Sequence, residues 1–297
     1  MRIRSSTGKQ PPAPPQTASG SSKRIGTILA DEGFIEPADI DAILSQQSDS
    51  GEFYGQTAVK MGKVTPSELD YALAKQVDAT TLPSGDPSLD PLLICAFDLE
   101  APYSAQIRTI RSKILALQSD AGVLDHRFCA VIGMDCHRET AVLSSNLAIV
   151  IARMGGASVL VDADYKAPSI HELFRLQNRI GLSTMRGDAV ANDVAQQTAI
   201  ANLQLIAAGA AHASSVNAPE RETITTRVGS WQYAETQFVI SMNIHDSAII
   251  APAAQSIAGV NSALLLTRKH QTPIKDVRRL IDELDERGIA ISGIVIV

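Results

Sequence analysis

Three short phrases of this sequence hold the residues best able to do chemistry. VLVDADYKAPSIHELF (Val159 to Phe174) closes an apolar run with two carboxylates, Asp162 and Asp164. GMDCHRETAV (Gly133 to Val142) follows a second apolar run and brings Cys136, His137, Glu139 and Thr140. FVISMNIHD (Phe238 to Asp246) follows a third and ends in His245 and Asp246. In an open parallel sheet, ligands bind beyond the carboxyl ends of the strands, so all three phrases stand where a site would be. Two neighbouring carboxylates there either cap the turn that follows or hold residual metal or nucleotide, and residue types leave both readings open. His126, His137, His171 and His245 have no carboxylate or cysteine at ligand spacing and read as surface or cap residues. Cys95, Cys129 and Cys136 are odd in number and lack paired metal spacing.

A second set of candidates lies near the amino terminus, in an internal repeat. RIGTILADEGFIEPADIDAILSQQ (Arg24 to Gln47) and FYGQTAVKMGKVTPSELDYALAKQ (Phe53 to Gln76) superpose at a single offset of 29 residues. Gly26 answers Gly55, Gly33 answers Gly62, Ile40 answers Leu69, Leu44 answers Leu73 and Gln47 answers Gln76. Each copy predicts a short helix ended by glycine, a turn, and a second helix with proline in its first turn, where Thr65 or Ser67 can cap.

The elements that must position these residues follow from periodicity. Strands are predicted at Phe128 to Ile132, Ser158 to Val161, Leu203 to Ala207, Phe238 to Ser241, Ala263 to Thr267 and Ile291 to Val297. Helices are predicted at about Ser104 to Leu117, Thr140 to Met154 and Pro273 to Arg287. Continuous apolar strands separated by helices imply an α/β fold, a doubly wound and mostly parallel sheet covered on both faces, preceded by a small all-α tandem-repeat domain. Residues 1–22 are rich in Pro, Ser, Gly and Gln and predict a disordered tail. The repeat occupies 23–78, the proline-bearing stretch 79–91 a linker, and 92–297 the α/β domain.

Composition narrows the function. The 297 residues carry a formal net charge of −6, and an acidic pI near 5.5 with no basic stripe argues against nucleic acid as a partner. The charge-poor stretch Ser247 to Thr267 contains Pro252, Gln255 and Asn261 and does not read as a membrane span. With no apolar signal core after Arg2 and Arg4, the expected place is the cytoplasm, peripheral to the inner membrane only through a partner.

The phrase around Asp162 and Asp164, with RFCAVIG and SNLAIVIARMGGASVL before it and NRIGLSTMRGD after it, resembles the ATPase domain of bacterial tyrosine kinases of capsule and exopolysaccharide export. These belong to the MinD-like and ParA-like P-loop proteins with a deviant Walker A, so the resemblance implies a P-loop NTPase-like fold. It also implies that Asp162 and Asp164 occupy positions which help hold Mg²⁺ and the attacking group. A working Walker A needs glycines whose N–H groups approach the phosphates, a lysine for their charge and a hydroxyl for Mg²⁺. Aligning Asn146-Leu147-Ala148 with the family's helix puts His137 and Glu139 at glycine positions, Thr140 at the lysine and Ala141 at the hydroxyl. Met242 falls where the family places its Walker B aspartate, and Asp246 comes four residues too late. The family's terminal tyrosine cluster is missing. Of the Glu-x-x-Arg-x-x-Arg helix that packs between subunits, Arg108 and Arg111 remain and Ala105 replaces the glutamate, so a homo-oligomer and a solvated helix face are both open.

The repeat resembles the MshEN domain of type II secretion and pilus assembly ATPases, which binds cyclic di-GMP through two copies of Arg-Leu-Gly-x-x-Leu-x-x-x-Gly, each with a terminal Gln. Arg24, Ile25, Gly26, Leu29, Gly33 and Gln47 fill the first copy, and Phe53, Gly55, Gly62 and Gln76 stand in the second, which departs at Phe53, Tyr54 and Ala58. The implied chemistry is glycines that admit a flat dianion, an arginine that stacks on guanine or pairs with phosphate, and apolar cover for the bases. Helical docking through the same residues is the competing expectation. Together the resemblances imply a regulator of polysaccharide synthesis or export: a cyclic di-GMP sensor joined to a pseudokinase that docks a membrane-anchored co-polymerase or another export component, with ATP and Mg²⁺ binding in doubt. An active autokinase with an atypical nucleotide site and a scaffold that binds no nucleotide are the alternatives.

Overall fold

The computed structural model describes residues 25–50, 54–65, 68–69, 72, 82–119, 126–154, 156–185, 191–210, 222–229, 231 and 236–297. The chain divides into two compact units, Met1–Ala72 and Leu73–Val297. The tail expected at 1–22 lies outside the described residues.

In the first unit the repeat of sequence is a repeat of hydrogen bonds. Helix α1 (Ile25–Asp31) closes when Glu32, Gly33 and Phe34 donate their N–H groups to Ile28, Ala30 and Leu29. Helix α3 (Tyr54–Lys60) closes when Met61, Gly62 and Lys63 do the same to Thr57, Val59 and Ala58. Gly33 and Gly62 turn the chain at φ of 76° and 67°, the left-handed region that glycine enters without penalty. Thr65 caps the next turn reciprocally with Glu68, as expected, and Glu36 with Asp39 repeats half of that pair ahead of helix α2 (Pro37–Ser50). The core draws on matched positions of both copies: Leu29 with Ala58, Ile35 with Val64, and Ile43 with Ala72 are all buried.

The second unit is a seven-stranded sheet in the order β3-β4-β2-β5-β1-β6-β7. Its strands are β1 (His126–Met134), β2 (Ser158–Asp162), β3 (Gln196–Gln197), β4 (Leu203–Ile206), β5 (Thr236–Ile244), β6 (Ser262–Thr267) and β7 (Ala290–Ile296). All pairings are parallel except β3 with β4. This is the expected α/β architecture, with one edge addition: β3 is two glutamines and carries no apolar signature.

Strand alternation divides the side chains between two cores. Phe128, Ala130 and Ile132 of β1 join Phe238, Ile240, Met242 and Ile244 of β5 on one face, under the helices Ile250–Ser256 and Ile274–Asp285. Cys129, Val131, Leu160, Val239 and Leu264 point to the other face, under the helices His137–Arg153 and Pro102–Ser119. From Thr140 onward the His137–Arg153 helix is almost wholly buried, which a helix apolar around most of its circumference requires.

The 79–91 stretch is more than a connection where it is described. Leu89 is buried and Leu82 packs against the same core, and Asp90 donates its N–H to Leu173. Residues just beyond are clamped by the central helix. Asn146 accepts from the Cys95 N–H at 2.9 Å and donates to Leu92 O at 3.0 Å, and Arg153 donates to Ala96 O at 2.8 Å. Apolar leucines on a proline-bearing segment, rather than a lack of structure, explain this stretch.

Candidate functional site

The carboxyl ends of β1, β2 and β5 lie side by side, and the three chemistry-bearing phrases meet there. Register places Asp162 opposite Ser241 and Met134 opposite Ile244. Ala163 donates to Ser241 O and Asp135 to Ile244 O, which locks the first residues after β2 and β1 onto β5.

Asp162 is 1% exposed. Its Oδ1 accepts from the Asp164 N–H at 3.1 Å and its Oδ2 from the Ile170 N–H at 3.3 Å, so it staples the turn after β2 to the helix Ile170–Leu173. Burial, with a smaller contribution from the Asp164 charge, pushes its carboxyl up to about 7. Asp164 closes the next turn, its Oδ1 accepting from Lys166 N at 3.2 Å and Ala167 N at 3.0 Å. That oxygen also lies 2.8 Å from His245 Nε2. Both carboxylates therefore cap, and Asp164 keeps one buried oxygen, Oδ2, without a hydrogen-bond partner among the described residues.

His245, read from spacing as a surface or cap residue, has a carboxylate beside it that sequence spacing does not reveal. The contact spans 81 residues of sequence and arises because β5 runs on to Ile244, past the predicted end at Ser241. Asn243 Nδ2 lies 3.1 Å from His245 Nδ1, and the His137 ring stands 6.3 Å from the His245 ring.

The longer β5 also decides which residue faces the loop after β1. Met242 is buried among Ile240 and Ile244 on the far core, so it does not look at the loop. Asn243, of opposite parity, does: its Oδ1 accepts from Cys136 N at 3.2 Å. Met242, the residue set against the family's Walker B aspartate, thus faces the far core, and Asn243 faces the loop.

The loop itself is filled by its own side chains. Thr140 is 1% exposed and donates its hydroxyl to Cys136 O at 2.8 Å. A Cβ on Gly133 would stand 2.0 Å from Thr140 Oγ1 and 2.5 Å from Asn243 Oδ1, so this glycine is needed for the packing of those two side chains. Ala141 lies in the apolar core, burial raises the Cys136 thiol, and Asp135 turns the chain at φ of 58°. Glu139 is tied to Arg268, with Nη2 at 2.5 Å from Oε1. Between Gly133 and Val142 there is no lysine, and the one hydroxyl, on Thr140, is spent on the backbone.

Arg108 donates to Leu99 O within its own unit, and Arg111 is half-buried on the same helix, Pro102–Ser119. In the first unit, Ile25 opens α1, Leu29 is fully buried and Gln47 is half-buried on α2. Gly26 and Gly55 admit neighbours of their own chain. A Cβ on Gly26 would stand 2.7 Å from Tyr54 Oη, and one on Gly55 2.7 Å from Leu69 Cδ1. Arg24, Phe53 and Gln76 lie outside the described residues.

No family model matches the chain. It is 25% identical over 201 residues to the tyrosine-protein kinase wzc of Salmonella typhi, a match that covers 66% of this chain and 27% of that protein. The chain thus spans about a quarter of the length of the curated relatives it matches. Among solved structures, the BceF tyrosine kinase domain aligns with a TM-score of 0.53 at 18% identity, covering 76% of this chain and 86% of that one. The kinase domain of the Escherichia coli tyrosine kinase ETK aligns with a TM-score of 0.52 at 20% identity, over 73% and 83%. The second unit thus has the mostly parallel α/β fold of the P-loop NTPase type found in these kinase domains, and in sequence it is similar to bacterial tyrosine kinases.

Proposed function

We propose that this protein is a regulatory component of exopolysaccharide or capsular polysaccharide export: a tyrosine-kinase-like domain that carries out no phosphoryl transfer and docks an export partner, joined to a cyclic di-GMP sensor. The observation that carries this reading is the closed loop after β1, where Thr140, Cys136 and Asn243 take up the space and the donors that a triphosphate requires. No reaction is assigned. The relatives' tyrosine-kinase names support the polysaccharide setting, and a membrane-anchored co-polymerase is the expected partner at the inner membrane. An active ATPase with an unusual site is the second reading, supported by the survival of Asp162 and Asp164 and by the unpartnered Asp164 Oδ2.

The 29-residue repeat supports the sensor assignment. Tyr54 and Leu69 pack against Gly26 and Gly55, and on this reading Arg24 meets the ligand's charge while Gln47 and Gln76 offer neutral hydrogen bonds. Calorimetric titration of the full chain with cyclic di-GMP tests this. Saturable binding that weakens by about 1–3 kcal/mol in Arg24→Ala is expected, through loss of a charge-assisted contact. Binding that is absent, or indifferent to Arg24→Ala, would remove the sensor from the account.

A further inference from the structure

Among the described residues, one edge of the sheet lies open. β7 bonds β6 on one side, and among the described residues no strand pairs the other. Such an edge is a template for another chain, which soluble proteins ordinarily blunt with charge, proline or a cover. β7 reads AISGIVI, without a charge or a proline. Val295 packs on the core beneath Pro102–Ser119, so Ile294 and Ile296 point to the opposite face, where the helix Ile274–Asp285 lies. There Ile294 is 47% exposed, Ile296 67% and Ile274, at the helix start, 72%.

The helix adds a charge pattern. Val277, Leu280, Ile281 and Leu284 face the core, and Arg279 reaches back to Ser247 O, which fixes the inner flank. The outer flank presents Lys275 and Arg278 in its first half and Asp282 and Asp285 in its second, all exposed. Among the described residues none of these four makes an ion pair, although Glu283 and Arg287 of the same region do. On this flank, bases toward the amino end and acids toward the carboxyl end oppose the helix macrodipole, and the one pair at helical spacing, Arg278 with Asp282, is worth little. The arrangement is self-complementary instead. Lys275 and Asp285 lie equally far from Leu280, and so do Arg278 and Asp282, so an antiparallel copy would set each base against an acid.

We propose that β7 and the outer flank of the Ile274–Asp285 helix form a two-fold interface with a second copy of this chain, β7 pairing antiparallel with its counterpart. A two-fold axis perpendicular to the sheet makes the sheet continuous and keeps both helices on one face, antiparallel. A helix seated over β6 and β7 would then lie roughly 10 Å from its mate, an ordinary helix-packing distance. The interface is isologous, as self-complementary charge requires. It also covers Ile274, Ile294 and Ile296.

Sedimentation velocity on the full chain tests the interface. The expected result is a dimer that weakens as salt rises. Arg278→Glu and Asp282→Arg, alone, should each weaken association roughly tenfold, because each reverses two symmetry-related contacts. The double variant Arg278→Glu/Asp282→Arg should recover it, and Ile296→Lys should leave monomer with an unchanged circular dichroism spectrum. A wild-type monomer at every concentration would overturn the proposal. So would a dimer indifferent to these substitutions, or single reversals that weaken association without recovery in the double variant.

Discussion

Asp162 and Asp164 are two residues apart and meet different surroundings. Asp164 shares its Oδ1 with His245 and two backbone donors, whereas Asp162 sits under the sheet end with backbone N–H groups alone. Burial raises the Asp162 carboxyl from 3.8 to about 7, so the folded protein holds a proton that the unfolded chain releases. The sign follows from that difference. The contribution of Asp162 to stability is fully present below about pH 4 and is lost as pH rises through 7, with a span on the order of 2–4 kcal/mol. Asp162→Asn is therefore expected to flatten the pH dependence of thermal unfolding between about pH 4 and 7, and scanning calorimetry of both proteins across that window checks it. Parallel pH profiles for wild type and Asp162→Asn would contradict it. A sequence lists both aspartates but contains nothing that separates a cap held by backbone N–H groups alone from one shared with a histidine. His245, 81 residues downstream of Asp164, shows the same limit, since its partner exists only once β2 and β5 are neighbours.

At the scale of elements, periodicity carries most of the architecture. The apolar runs place the six longer strands, and alternation along β5 sets Phe238, Ile240, Met242 and Ile244 on one face and Asn243 on the other with the loop. β3 is illegible because Gln196 and Gln197 join the sheet through backbone hydrogen bonds alone. In the first unit the repeat foretells Gly33 and Gly62 as turn glycines, and Tyr54 and Leu69 pack where a Cβ on Gly26 or Gly55 would stand, which no spacing in the sequence announces. Gly26→Ala is accordingly expected to cost about 1–3 kcal/mol by overpacking against Tyr54. Tyr54→Phe removes the nearest atom and a buried hydroxyl that has no partner among the described residues, so it should return part of that loss. Chemical denaturation of the two single variants and the double variant reads this coupling. A neutral Gly26→Ala would mean that the α1–α3 contact is looser than the structure has it.

At the scale of the molecule, two units with separate cores bring together a repeat built for symmetry and a sheet built around a nucleotide fold. Asp162 staples the turn after β2, Asn146 and Arg153 clamp residues 92–96 to the central helix, and Thr140, Asn243 and Cys136 fill the loop after β1. On the proposed function this fold serves recognition rather than turnover, and cyclic di-GMP would regulate it only by binding docked and free states with different affinity. The claim that this site is silent is tested most directly by incubating the full chain with Mg·ATP and measuring phosphate release and tyrosine phosphorylation together. The account predicts neither above the level of a buffer control. Mg²⁺-dependent turnover that disappears in Asp162→Ala would contradict it.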